Sequence, residues 1–287
     1  MKTTNTTRRM TWGMICLTLL FVGCTPVPLY DGPPGYNFEA PEKLIMRESL
    51  LEISGITFHH GNADTVLAIN DEDGKLFYFP IREKKAYSTR FFKGGDFEDV
   101  AVFKNQIYTL RSDGTVFSFA DSIDRKKSEA KKWDAAFPEG EYESLFVQEP
   151  ANKLITLCKK CESGKHQIQG YSLDLSDTTL TNLQPFGIDL DGLPSLEKKI
   201  KKAFQPSALA QSPITHEWFI ISSVHKTLLV TDASWKPLAS YALDPHYFNQ
   251  PEGIAFDDAG HLYISNEGNE IQNGNIMKIA YTGQTAH

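Results

Sequence analysis

Very little of this chain is suited to binding nucleic acid, spanning a membrane or forming helices. Its 29 basic residues are outnumbered by 36 acidic ones, for a formal charge of −7. Nucleic-acid binding needs a basic patch to neutralise phosphates, so this balance argues against that partner. No apolar run of 18 residues occurs beyond the N-terminus, which excludes an internal helical membrane span. Helical periodicity is nearly missing, the exception being a short helix expected at Pro194 to Ala203. There is no glycine loop for phosphate. Ser223 lies near His225, but no strand–elbow–helix context makes them a nucleophile and base. His59 and His60 read as solvated turn residues, and His216, His225, His246 and His261 lack metal-ligand spacing. Cysteine is scarce, with four in all. Cys158 and Cys161 form C-x-x-C at the end of an expected strand, whereas a redox pair would open a helix. No second Cys/His pair is near enough to complete a zinc site. A small structural loop is the expected role, with a local disulfide open to it in an oxidising compartment.

What is present begins with an export signal. Lys2, Arg8 and Arg9 precede the apolar run Met14 to Val22, which is short for a span and ends at Gly23-Cys24. A cysteine directly after the small residue resembles the bacterial lipobox, with Phe21 where leucine is usual. That resemblance makes Cys24 the lipid attachment site and residues 1–23 a signal peptide. Residues 24–41 carry Pro26, Pro28, Pro33, Pro34 and Pro41 with Gly32 and Gly35, the composition of a tether. Residues 42–287 form the expected globular domain. The expected location is the cell envelope, anchored to the periplasmic face or the outer membrane.

The domain is a repeat. Segments at Glu52–Phe58, Asp96–Val102, Glu141–Val147, Gln205–Gln211 and Gln250–Phe256 share one pattern. Aligning Gly55, Asp99, Ser144, Ala208 and Gly253 gives spacings of 44, 45, 64 and 45 residues. Each segment continues through a turn into a second strand. In the first two repeats a hairpin signal, Asp73-Gly74 and Asp113-Gly114, leads to a third strand. Weaker fourth strands are expected at Tyr87 to Phe92 and Leu238 to Ala242. Four short antiparallel strands per period of this length describe a propeller blade. The fold class is therefore all-β, a single five-bladed β-propeller. Closing the ring needs one more strand, because an open ring leaves sheet edges exposed. Lys43 to Met46 is expected to supply it as the outer strand of the last blade. The excess in the third period, Thr178 to Phe204, reads as an insertion with too little strand signal for a sixth blade.

The alignment places Ser54, Glu98, Glu143, Ser207 and Glu252 just before the five inner strands, whose starts converge on one mouth of the axial channel. Second strands return Asn70, Arg111, Cys158, Ser222 and Asn266 to the same mouth. Three carboxylates around a narrow opening repel one another unless protonated, hydrated or bridged by a cation. Oxygen-only donors, Glu98, Glu143 and Glu252 with Asn70, Ser54 and Asn266, suit a hard cation such as calcium. The plainer alternative is local pairing, such as Glu98 with Arg111. Asn70 to Gly74 lacks the spacing and terminal Glu of a calcium loop.

The phrases EISGITF, FEDVAV, YESLFV and QPEGIAFDDAGHLYISNEGN resemble the SdiA-regulated family of bacterial envelope propellers, and more distantly NHL-type propellers. The pattern Gly35-Tyr36-Asn37 followed by Pro41-Glu42-Lys43 is similar to members from Bacteroidetes-type bacteria. The resemblance implies a five-bladed propeller with a calcium site near the axis and no established activity. It carries over to Glu98, Glu143 and Glu252; Ser54 and Ser207 depart from the motif. Two functions follow. One is a lipid-anchored, calcium-binding module for an unidentified ligand or protein, without catalysis, monomeric and without nucleic acid. The other is a calcium-dependent hydrolase of phosphoesters or lactones at the same mouth, with Glu267, Asp71 or His225 as acid or base.

Overall fold

A computed structural model describes residues 30–283 except 84, 122–126, 163, 165, 177–178, 194–195 and 197–202. The signal peptide, Cys24 and nearly all of the expected helix at Pro194 to Ala203 lie outside the described residues.

Five antiparallel sheets follow one another along the chain. The first strand, β1 (Glu42–Ile45), precedes all of them and is taken up last. Blade one is β2 (Ile53–His59), β3 (Asn62–Asn70), β4 (Asp73–Phe79) and β5 (Tyr87–Gly94). Blade two is β6 (Phe97–Phe103), β7 (Gln106–Arg111), β8 (Val116–Ala120) and β9 (Lys131–Trp133). In blade three the inner strand is split into β10 (Glu141–Tyr142) and β11 (Phe146–Gln148), both paired to β12 (Lys153–Lys160). The blade continues through β13 (Gln167–Asp174) to β14 (Leu183–Asp189). Blade four is β15 (Ala208–Gln211), β16 (Trp218–Ser222), β17 (Thr227–Thr231) and β18 (Pro237–Ala242). Blade five is β19 (Pro251–Phe256), β20 (Leu262–Asn266) and β21 (Asn275–Ile279). The fold is a five-bladed β-propeller.

Closure is as expected. β1 pairs antiparallel with β21, Leu44 opposite Ile276, so the blade made by the end of the domain takes its outer strand from the start. This leaves no unpaired ring edge. The third-period excess is not a bare insertion: it opens with β14, the outer strand of blade three. Beyond it Leu190, Leu196 and Phe204 are buried with Trp218 and Ile220, filling the space between blades three and four.

The described end of the Pro/Gly-rich stretch is docked onto the domain. Tyr36 bridges to Tyr281 and donates its hydroxyl to the Gly260 carbonyl at 2.8 Å. Phe38 is 1% exposed, its ring 5.7 Å from that of Phe248. Aromatic burial holds a segment whose prolines would otherwise keep it extended. Phe38→Ala is expected to cost about 3 kcal/mol, the usual scale for a buried aromatic cut to alanine. Urea unfolding of the variant beside the wild type measures it; a cost below about 0.5 kcal/mol would make the segment a passive tether.

The blades meet at their inner strands. Asp99, fully buried, accepts the backbone N–H groups of Val100 at 2.8 Å and of Leu145 at 2.7 Å in blade three. That second bond satisfies an amide stranded by the gap between β10 and β11. Burial drives the Asp99 carboxyl well above the ordinary range, against the pull of both amides.

Candidate functional site

The inner strands begin at one mouth of the channel and end at the other. At their starts lies a cavity of about 220 Å³ walled by carboxylates: Glu98, Glu143 and Glu252, with Glu52, Asp71, Asp96, Glu141 and Glu267. The three acidic residues expected from the alignment thus share one cavity. Ser54 also lines it, but its hydroxyl is committed to the Glu98 carbonyl at 2.8 Å. Arg111 does not pair with Glu98; it grips Asp113 instead, at 2.6 and 3.0 Å.

Asn70 and Asn266 are displaced from that cavity by one residue. Each is held in the ladder, Asn70 opposite Ile53 and Asn266 opposite Pro251. The residue after each, Asp71 or Glu267, is the one that reaches the cavity. Asn70 faces a neighbouring groove with Glu48 and Glu72, and Asn266 donates its amide to Asn275 at 3.0 Å. Cys158 and Ser222 are likewise occupied. Cys158 forms a disulfide with Cys161, and Ser222 shares a hydrogen bond of 2.8 Å with His225 Nδ1.

The disulfide loop has a consequence for the site. It carries Lys159 and Lys160. Lys159 pairs with Glu143 and lies 3.4 Å from Glu141, while Lys160 reaches Glu141 at 2.6 Å. One face of the cavity is therefore neutralised by lysine. The rest is not. Four buried acceptor oxygens in and beside the cavity have no hydrogen-bond partner among the described residues: Asp71 Oδ1, Glu143 Oε2, Asn70 Oδ1 and Asn266 Oδ1. Such atoms are costly to leave unsatisfied.

Crowding shows in the acidities. Burial, then the neighbouring charges of Asp96, Glu252 and Asp71, push Glu98 up to about 9 against the pull of Lys159. Burial and the charges of Glu52 and Glu267 raise Asp71 to about 6. Glu252 is raised by burial, moderated by a hydrogen bond from Ser223 and by Lys159 and Lys226. Glu267 is raised by burial and by Glu252 and Glu52. Glu141 goes the other way: burial raises it, but Lys160 and Lys159 outweigh that and hold it low. By exposed area Glu98 and Glu252 are only half-buried. The cavity gives them some contact with water, while the protein packed around them removes most of their hydration.

The extra carboxylates were readable in the repeat. Glu52, Asp96 and Glu141 each stand two residues before the aligned Ser54, Glu98 and Glu143. Side chains two apart in a strand share a face. Lys159 left no such signal, because it depends on the disulfide loop of one blade.

The opposite mouth is different. A cavity of about 450 Å³ there is lined by the later halves of the inner strands, including Val100, Ala101, Leu209, Ala210, Ile254 and Ala255.

No protein-family model matches the chain, and no curated protein matches it. Among solved structures it is similar to a glutaminyl cyclase from Myxococcus xanthus, with 12% identity and a TM-score of 0.56 over 86% of this chain and 96% of that one. It is also similar to a luciferin-regenerating enzyme, with 10% identity and a TM-score of 0.52 over 86% of this chain and 98% of that one. At such identities what is shared is the fold, and the chain is a β-propeller.

Proposed function

We propose that this protein is a calcium-binding propeller module, held at the cell envelope by a lipid on Cys24, that binds a ligand or protein partner without catalysing a reaction. The observation that carries the metal is the axial cavity: oxygen-only donors in excess of their local cations, with orphaned buried oxygens on Asp71 and Glu143. Hard, oxygen-rich coordination suits calcium, which takes six to eight such ligands. Glu98, Glu143 and Glu252 would hold the ion, with Asp71 the best-placed further donor. A bound divalent ion supplies positive charge that lets these carboxylates ionise together, and it ties three inner strands to one centre. The disulfide agrees with an oxidising compartment. Ser222, the serine joined to His225, is fully buried, so that pair offers no accessible nucleophile.

The test is thermal unfolding of the full chain, stripped of metal, with and without calcium, beside Glu252→Gln. Calcium at a hundred times its dissociation constant should stabilise the wild type by about 2.7 kcal/mol, and Glu252→Gln should lose most of that. An unchanged wild-type transition removes calcium from the reading. Calcium-dependent turnover of a phosphoester or lactone would move the function to the hydrolase, for which Asp71 has the acidity of a general base.

A further inference from the structure

A second cluster lies away from the acidic cavity, where β2 of blade one and β8 of blade two end. His59 Nε2 is 2.7 Å from Asp121 Oδ2, and His60 Nε2 is 3.4 Å from the same oxygen. Among the described residues this is the one group of three or more His, Cys, Asp or Glu whose donor atoms all lie within 4.8 Å of one another. The axial carboxylates, for all their number, do not come so close.

Consecutive strand residues point to opposite faces, so two adjacent histidines should diverge. They converge here because His60 is in the left-handed region, φ 53°. The turn is clamped from blade five. Asp258 donates its N–H to the Gly61 carbonyl at 3.1 Å, and its carboxylate lies so close to Gly61 that a methyl there would overlap it. Asp121 is fixed from the other side, its N–H bonded to the Asn105 carbonyl at 2.9 Å. Its side chain is 7% exposed, and its second oxygen, Oδ1, is buried without a hydrogen-bond partner among the described residues. An ordinary His–Asp pair accounts for one carboxylate oxygen and one imidazole. It leaves the second imidazole, drawn to the same carboxylate, and the orphaned oxygen unexplained.

We propose that His59, His60 and Asp121 form a binding site for a divalent transition metal, zinc by the chemistry of its ligands. Two imidazoles and one carboxylate are a three-ligand zinc set that leaves a fourth position for water or a ligand. That position faces outward, since His60 is 47% exposed along its side chain. His60 also lines the 450 Å³ cavity at the far mouth of the channel, so an exogenous donor entering there meets the metal. The ion joins blade one to blade two and is independent of the oxygen-only axial site.

The full chain, stripped of metal, is titrated with zinc in competition with a chromophoric chelator, in excess calcium. The expected result is one zinc bound per chain, weakened at least about tenfold in Asp121→Asn and in His60→Asn and unchanged in Glu252→Gln. Asparagine tolerates the left-handed backbone at position 60, so His60→Asn decides the matter if Asp121→Asn does not fold. Absence of stoichiometric zinc uptake by the folded wild type overturns the proposal. So does wild-type affinity in His60→Asn. Loss of zinc in Glu252→Gln would place the ion in the axial cavity and overturn it as well.

Discussion

Gly253→Ala is expected to destabilise the propeller by about 3 kcal/mol or more. An added methyl would sit 2.3 Å from Ser265 Oγ, 2.6 Å from the Ser54 carbonyl and 3.0 Å from the Ile56 amide. Two of those atoms are backbone of blade one's inner strand, so no rotamer change can make room. The strands must separate, and the bond from Ser265 Oγ to the Ser54 carbonyl, 2.7 Å and buried, is the first to be lost. Overpacking alone costs roughly 1–3 kcal/mol, and an orphaned buried carbonyl adds roughly 1–3 kcal/mol. Gly164→Ala serves as the control, because a methyl there meets nothing closer than 4.0 Å; it should stay within about 0.5 kcal/mol of wild type. Urea unfolding of the three proteins makes the comparison. Equal effects of the two substitutions would mean that glycine acts through chain entropy and not through the closeness of blades five and one.

The same junction shows what the sequence could reveal. The aligned position carries Gly55, Asp99, Ser144, Ala208 and Gly253, and smallness there reads as crowding near an axis. Asp99 breaks that rule for a reason only three dimensions supply. It fills the space left open opposite Gly55 and spends both oxygens on backbone amides, one of them in another blade. The inner and second strands were legible because they alternate or run apolar between clear turn signals. Of the outer strands, β5 and β18 were legible as the weaker signals at Tyr87 to Phe92 and Leu238 to Ala242, and β1 as the closing strand at Lys43 to Met46; β14 and β9 were not. β14 contains Pro185 and Gly187, which argue against a strand until its place on the edge is known, where proline costs no ladder bond. β9 is three residues long and polar.

The site was legible in outline for the same reason. Repeat alignment found the residues on the inner strands, since their positions follow from period and strand polarity alone. It chose Asn70 and Asn266 over Asp71 and Glu267 because sequence does not say where a ladder ends and the chain turns outward. The convergence of His59 and His60 was hidden more completely. It rests on a single left-handed residue and on an aspartate 62 positions away in another blade.

Metal-free protein should lose stability as the pH rises, and calcium should cancel that loss. Glu98 is held near 9 in the folded protein, against an ordinary value of about 4.3. The folded state therefore keeps a proton that the unfolded chain gives up. The stabilisation this brings is complete below the ordinary carboxylate value and is lost progressively as the pH climbs through about 9. For Glu98 alone the difference is on the order of 5 kcal/mol. Glu252, Glu267 and Asp71 are shifted in the same direction, and Asp71, near 6, acts over the lower part of the window. Glu98→Gln removes the largest of these groups. The metal-free variant should thus show a much flatter profile and exceed the wild type in stability at pH 8, although it lacks a proposed ligand. In the proposed reading calcium acts where the proton did. Its binding near neutral pH must expel the proton on Glu98, so the heat of binding should depend on the buffer's own ionisation enthalpy, by about one proton per ion. In Glu98→Gln both the calcium response and the proton release should fall together. A flat metal-free profile in the wild type, with buffer-independent heats, would mean that Glu98 is ionised before the metal arrives and that lysine and water, not calcium, relieve the acidic ring.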